Sequence, residues 1–176
     1  MIESIGEIVP RVLEKHGIAS ISFARIYFDG SCEPTNPGGV ATAGWFIEDD
    51  KSLIAEGSEF ICEGDGATNN VAEWCALGKS LRWCLDHRGI FTSNCRLDLF
   101  GDSQLVVNQL TRKWACNKEH LQKLRERCDS ILKELGFSWN AQWIPREQNE
   151  RADNLSRQAY EKHTGRKFPE RNRKWK

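Results

Sequence analysis

Hydrophobic and polar positions change period several times along the chain, and each change marks an element. Residues 25–31 (RIYFDGS) form a β-branched and aromatic run that ends in turn residues, and 32–39 then carries two prolines and two glycines, so a strand feeding a tight loop is predicted. Residues 41–48 and 53–60 read as two further strands separated by the polar turn at Asp49, Asp50 and Lys51, which predicts a three-stranded antiparallel meander. Between residues 69 and 87 the apolar positions Val71, Trp74, Cys75, Leu77, Leu81 and Leu85 recur at three and four, with Thr68 and Asn69 available as caps: a helix of about five turns. Residues 96–100 give a short strand, 103–110 a short helix, 118–135 a longer amphipathic helix closed by Gly136, and 137–144 a last strand. Pro145 stops that strand, and 147–160 returns to helical spacing through Ala152, Leu155, Ser156 and Ala159.

The order β-β-β-α-β-α-α-β-α predicts an α/β fold: a mixed five-stranded sheet, three strands antiparallel and two parallel, with helices on both faces. Residues 1–22 read as an appended extension, its Ile2, Ile5, Val9, Val12 and Leu13 spaced like one helix face and lacking the basic start and continuous apolar stretch of a signal peptide. Residues 23–160 form the main domain, and 161–176 a basic tail.

At 176 residues the chain suits one domain with a sizeable core. It has no apolar run near the roughly 18 residues of a membrane span, so no membrane is expected as a partner. The seven cysteines are odd in number, scattered and nowhere spaced as CxxC, which fits a reducing, cytoplasmic setting rather than a disulfide framework or a zinc site. A formal net charge of zero at first disfavours a nucleic-acid partner. The distribution reverses that, because residues 161–176 hold seven basic side chains against Glu161 and Glu170. Such a tail suits phosphate contact, although a solvated terminus reads the same way.

Four acidic residues stand where strand ends and helices can gather them. Asp29 lies near the end of the first strand, Asp102 just past the fourth, Glu73 in the first turn of the long helix and Asp153 within the last helix. Singly, each has an ordinary structural use: turn residue, helix-dipole partner, N-cap or surface charge. Together they form a cluster that repels itself unless a dication neutralises it, and oxygen ligands without nearby His or Cys favour Mg²⁺ or Mn²⁺.

The segments YFDGSCEPTNPGG, ATNNVAEW, LFGDSQLVVNQL and WIPREQNERADNLSRQAY, in this order, resemble the successive active-site segments of the type 1 ribonuclease H family, particularly its archaeal-like branch. The resemblance spans residues 25–160 and implies a ribonuclease H-like fold, in agreement with the element order. It also implies an endoribonuclease that cuts the RNA strand of RNA/DNA hybrids, leaving 5′-phosphate and 3′-hydroxyl ends, and that extends in some archaeal-like members to double-stranded RNA. Two Mg²⁺ ions, with Mn²⁺ as a substitute, would be held by Asp29 in common, by Glu73 and Asp102 near the leaving oxygen, and by Asp153 on the side that activates water. Ser31, Cys32, Asn36, Thr68, Asn69, Asn70 and Gln104 fall where relatives contact the substrate. Amide and backbone groups suit a 2′-hydroxyl, which they can hydrogen-bond without demanding sequence.

The chain departs from bacterial relatives in two places. Residues 145–149 contain no histidine where those relatives carry one, leaving Arg146 or Glu147 as auxiliary candidates. Residues 111–119 are short and only mildly basic where others have a basic protrusion, so the C-terminal tail becomes the alternative grip, with Trp114 as a stacking candidate. Trp45, Trp74, Trp83, Trp139 and Trp143 read as core or sheet-face residues. The four histidines lie outside the motifs and read as surface residues. Asp29-Gly30-Ser31 on the first strand lacks the Asp-x-Glu of related exonucleases. A catalytically silent hybrid-binding domain is the alternative, and a monomer is the expected state.

Overall fold

The computed structural model describes residues 21–169, so the expected N-terminal helix and most of the basic tail lie outside the described residues. The elements are β1 (Ile21–Glu33), β2 (Val40–Glu48), β3 (Leu53–Glu63), α1 (Asn69–Asp86), β4 (Phe91–Gly101), α2 (Gln104–Leu110), α3 (Glu119–Leu135), β5 (Ser138–Trp143) and α4 (Glu150–Thr164). Short 3₁₀ turns at Arg88–Ile90 and Arg146–Gln148 precede β4 and α4. The element order is the one the sequence pattern predicts. Most strands run longer than the periodicity alone suggests, because flanking residues, apolar and polar, continue the hydrogen-bonded ladder.

The five strands form one sheet in the order β3-β2-β1-β4-β5. Strands β1, β2 and β3 pair antiparallel, and β4 joins β1, and β5 joins β4, in parallel. Alternation along β1 and β2 sorts the two faces. Ala24, Ile26, Phe28, Ala43, Trp45 and Ile47 point into the main core with Trp74, Leu77 and Leu81 of α1 and Leu121, Cys128 and Leu132 of α3. On the other face Phe46 packs with Ala152 and Leu155 of α4. Helices therefore cover both faces.

Two glycines let the helices come close. A Cβ at Gly30 would stand 2.1 Å from the backbone nitrogen of Glu73 in α1, and one at Gly44 would stand 2.2 Å from the carbonyl of Ala152 in α4. Thr68 caps α1, its side chain accepting from the Val71 N–H, Ser103 caps α2 in the same way, and Gly136 ends α3 in the left-handed conformation.

Trp45, Trp74 and Trp83 are buried in the core, and Trp139 packs partly against it. Of the two readings, core or sheet face, Trp143 takes the second: it is the last residue of β5, an edge strand, and is 42% exposed. Trp114 is also exposed. His87 stacks on Trp83 and His163 on Phe60. Past Gly165 the chain folds back on α4: Phe168 meets Tyr160 edge-on and lies under the Arg157 guanidinium. All cysteines are free. No helix of the described residues is long and apolar enough to cross a membrane.

Candidate active site

Parallel pairing of β1 with β4 ends at Phe28 opposite Gly101, so the residues that follow, Asp29 and Asp102, stand side by side. Strand β1 runs on to Glu33 against β2, which puts Asp29 inside the strand rather than near its end, while Asp102 lies just past β4. Strands in a sheet lie about 4.8 Å apart, a spacing at which two carboxylates can share one cation. The close approach at Gly30 then brings Glu73 over the same spot from α1. Oxygens of Asp29, Glu73 and Asp102 all lie within 4.8 Å of one another. Glu73 stands one residue beyond the first turn of α1 rather than within it, because the helix begins at Asn69. Its carboxylate is thus no helix-dipole partner of the end groups.

Burial and mutual repulsion act on this trio. Asp29 is driven up to about 7, first by desolvation and then by the Asp102 charge, with the Ser156 hydrogen bond opposing. Burial, and after it the charges of Asp29 and Asp102, push Glu73 well above the ordinary carboxylate range. Asp102 is raised by burial and relieved by the Arg146 charge and by Asn149. Glu73 Oε2 is buried without a hydrogen-bond partner. Such an atom costs about 1–3 kcal/mol or more unless something satisfies it. Three hard oxygens converging, one of them an orphan, fit a divalent cation such as Mg²⁺ or Mn²⁺.

Asp153 is close by but differently engaged. It lies in the first turn of α4, ion-paired to Arg146, and Arg157 Nε, one helical turn on, sits 2.7 Å from its Oδ2. The trio is therefore the compact set, and Asp153 stands beside it in a cleft with Arg146, Glu147, Glu150, Asn154 and Arg157. Of the two auxiliary candidates, Arg146 reaches a candidate ligand directly. Glu147 lines the cleft wall.

The remaining predicted residues fall into a network and an outlier. Cys32 donates its backbone N–H to Asn69 Oδ1 at 2.7 Å, and Asn36 Oδ1 accepts from the Asn69 N–H at 3.1 Å, joining the loop after β1 to the start of α1. Thr68 and Asn70 flank that junction. The Ser31 hydroxyl is turned inward to Thr42, at 2.8 Å, so only its backbone is available to a ligand. Gln104 is separate, exposed at the start of α2.

Sequence reasoning missed three residues. Ser156 Oγ donates to Asp29 Oδ2 at 2.6 Å. Its position three residues after Asp153, on the same helix face, is the signal that could have found it. Asn149 Nδ2 reaches Phe28 O at 2.9 Å and Asp102 Oδ1 at 3.5 Å, and Trp143 Nε1 donates to Asp102 O at 3.0 Å. Neither is visible without the tertiary fold.

Comparisons with known proteins bear on the fold and family of the chain. A family model described as "Reverse transcriptase-like" matches residues 27–159. The chain is 39% identical over 134 residues to "Ribonuclease HI" of Halobacterium salinarum, covering 76% of this chain and 62% of that protein. It spans 44% of the length of another relative, the uncharacterized protein YpeP of Bacillus subtilis. Among solved structures, RNase H1 from Halobacterium salinarum superposes with a TM-score of 0.68 at 35% identity, over 80% of this chain and 98% of that one. LC11-RNase H1 in complex with RNA/DNA hybrid superposes with a TM-score of 0.72 at 28% identity, again over 80% and 98%. With the family model spanning most of the chain and an archaeal RNase H1 matched over nearly its whole length, the chain belongs to the type 1 ribonuclease H family.

Proposed function

We propose that this chain is a metal-dependent endoribonuclease that hydrolyses the RNA strand of RNA/DNA hybrids, leaving 5′-phosphate and 3′-hydroxyl ends. The observation that carries the reading is the oxygen set of buried Asp29 and Glu73 and half-buried Asp102, with its unpartnered Glu73 Oε2. The hybrid bound by LC11-RNase H1, a relative of the same fold, supports the substrate.

Asp29 would hold two Mg²⁺ ions in common, Glu73 and Asp102 one of them and Asp153 the other, with Mn²⁺ as a substitute. Such a pair, when bound, neutralises the carboxylates, polarises the phosphate and lowers the pKa of the attacking water. The protein's own groups prepare the place. Ser156 fixes which Asp29 oxygen faces inward. Arg146 sets positive charge beside the carboxylates, lowering the cost of ionising Asp29, Glu73 and Asp102. Asp153 would hold its ion in exchange for its guanidinium partners, Arg146 and Arg157, which would then be free to meet substrate phosphates.

The Cys32, Asn69 and Asn36 network, with Ser31, Thr68 and Asn70 beside it, and Gln104 separately at the start of α2, supply the groups for ribose hydroxyls and base edges. The catalytic unit is residues 23–160, with 1–22 as extension and 161–176 as a basic grip on the nucleic acid. The enzyme acts as a monomer in the cytoplasm and also accepts double-stranded RNA. The test is a panel of end-labelled RNA/DNA hybrid, double-stranded RNA, single-stranded RNA and double-stranded DNA, each with Mg²⁺, Mn²⁺ or chelator. Cleavage of the RNA in the hybrid that chelator abolishes is the expected result. Binding of hybrid without cleavage under any metal would favour the silent-domain alternative.

A further inference from the structure

Asp102 lies one residue past the end of β4, outside the hydrogen-bonded ladder, yet its carboxylate must stay within a few ångströms of two others that repel it. An unrestrained aspartate there would turn outward into water. Two side chains from different elements oppose that. Trp143, the last residue of β5, donates its indole N–H to the Asp102 carbonyl at 3.0 Å. The ring is 42% exposed, so burial alone does not hold it there, and its only polar group is committed to this contact. Next to it, Ile144 N donates to Gly101 O at 3.0 Å and carries the β5 pairing up to the same point.

Asn149, 1% exposed at the start of α4, acts from the other side. Its Nδ2 faces two acceptors, Phe28 O at 2.9 Å and Asp102 Oδ1 at 3.5 Å, the second at the long limit of a hydrogen bond. Because both are acceptors, the amide must present its NH₂ end to them. One buried side chain thus links the residue before Asp29, the carboxylate of Asp102 and the helix that carries Asp153. Its Oδ1 is left buried without a partner, a cost that packing alone would avoid by using an apolar residue here.

We propose that Trp143 and Asn149 are positioning residues that clamp Asp102 by its carbonyl and its carboxylate, setting the spacing of the carboxylate trio before a cation binds. The inference rests on the metal-dependent reading above. Groups that orient metal ligands in this way typically change metal affinity about 10–100-fold when removed.

The test is calorimetric titration of Mg²⁺ and Mn²⁺ into the metal-free full chain, for the wild type, Trp143→Phe and Asn149→Ser, with a thermal melt of each. Trp143→Phe keeps a smaller aromatic ring at this exposed position and deletes the donor. Asn149→Ser keeps a residue favoured at a helix start but shortens it out of reach. Expected is an affinity about threefold to tenfold weaker in Trp143→Phe, the scale of one hydrogen bond, and about 10–100-fold weaker in Asn149→Ser. The melting temperature of Trp143→Phe stays at the wild-type value, and kcat on hybrid falls with KM unchanged. Wild-type affinity in Trp143→Phe overturns the clamp, and that variant decides alone if Asn149→Ser fails to fold. A wild type that binds neither metal overturns the proposed function itself, and the clamp with it.

Discussion

Gly30 of β1 and Glu73 of α1 meet backbone to backbone: a Cβ at position 30 would stand 2.1 Å from the Glu73 nitrogen and 2.7 Å from its Cα. No rotation of a side chain relieves such a clash, so the helix itself must move. Gly30→Ala is expected to lower the melting temperature by several degrees and to cut hybrid cleavage at least tenfold, because Glu73 travels with the helix. Thermal melts by circular dichroism and initial cleavage rates check it. A variant with unchanged melting and rate would mean that α1 is not seated on β1 in this way.

Ser156 is the only hydrogen-bond donor that the described structure gives to Asp29 Oδ2, and both residues are buried. Ser156→Ala leaves that oxygen unsatisfied, a loss of about 1–3 kcal/mol. The loss should be larger above pH 7, where Asp29 is ionised, than at pH 5, where it carries a proton. Urea titrations of wild type and variant at the two pH values measure the difference. Equal losses at both would argue against the hydrogen bond being to the charged form.

The raised Asp29 has a consequence for stability without metal. Its carboxyl titrates at about 7 in the folded chain against an ordinary 3.8, so the folded state keeps a proton that the unfolded chain has released. Stability from this group is fully present below about pH 4 and is lost as pH rises toward 7. In chelator, the melting temperature of the wild type should fall more steeply between pH 5 and pH 7 than that of Asp29→Asn. Excess Mg²⁺ should flatten the wild-type slope, since binding to the folded state alone stabilises it. Parallel slopes in chelator would contradict the assignment.

Arg146 is the cation whose charge reaches all three members of the trio as well as Asp153. Arg146→Gln should move the acidic limb of the pH–activity profile upward, while Arg146→Lys should hold it near the wild-type position. Profiles of kcat from pH 5 to pH 9 for the three proteins test this. Superimposable profiles would leave Arg146 with no electrostatic part in the site.

Much of this arrangement was legible in the sequence because it depends on local pattern. The three-and-four spacing of Val71, Trp74, Leu77 and Leu81 marks α1, and the turn step after residues 96–100 puts Asp102 just past β4. Asp29, expected near the end of its strand, lies inside β1, because residues 30–33 continue the ladder with β2. What stayed hidden depends on contacts between distant segments. Nothing local to Trp143 says that β5 lies at the sheet edge, which is why core and sheet face could not be told apart for it in the sequence. The sequence places Asp153 in a four-carboxylate cluster, on the side that activates water. The described structure shows it paired with Arg146 and Arg157, partners that the helical spacing alone does not reveal. Asn149 resembles an ordinary residue before a helix until Phe28 and Asp102 are brought to it.

The most direct test of the account is cleavage of an end-labelled RNA/DNA hybrid by the wild type and by Asp102→Asn, across a Mg²⁺ titration and in chelator. The account predicts cleavage of the RNA strand by the wild type that rises with Mg²⁺ and vanishes in chelator, and a loss of at least a hundredfold in the variant with its fold intact. Cleavage that survives chelator, or an Asp102→Asn enzyme as active as the wild type, would contradict it.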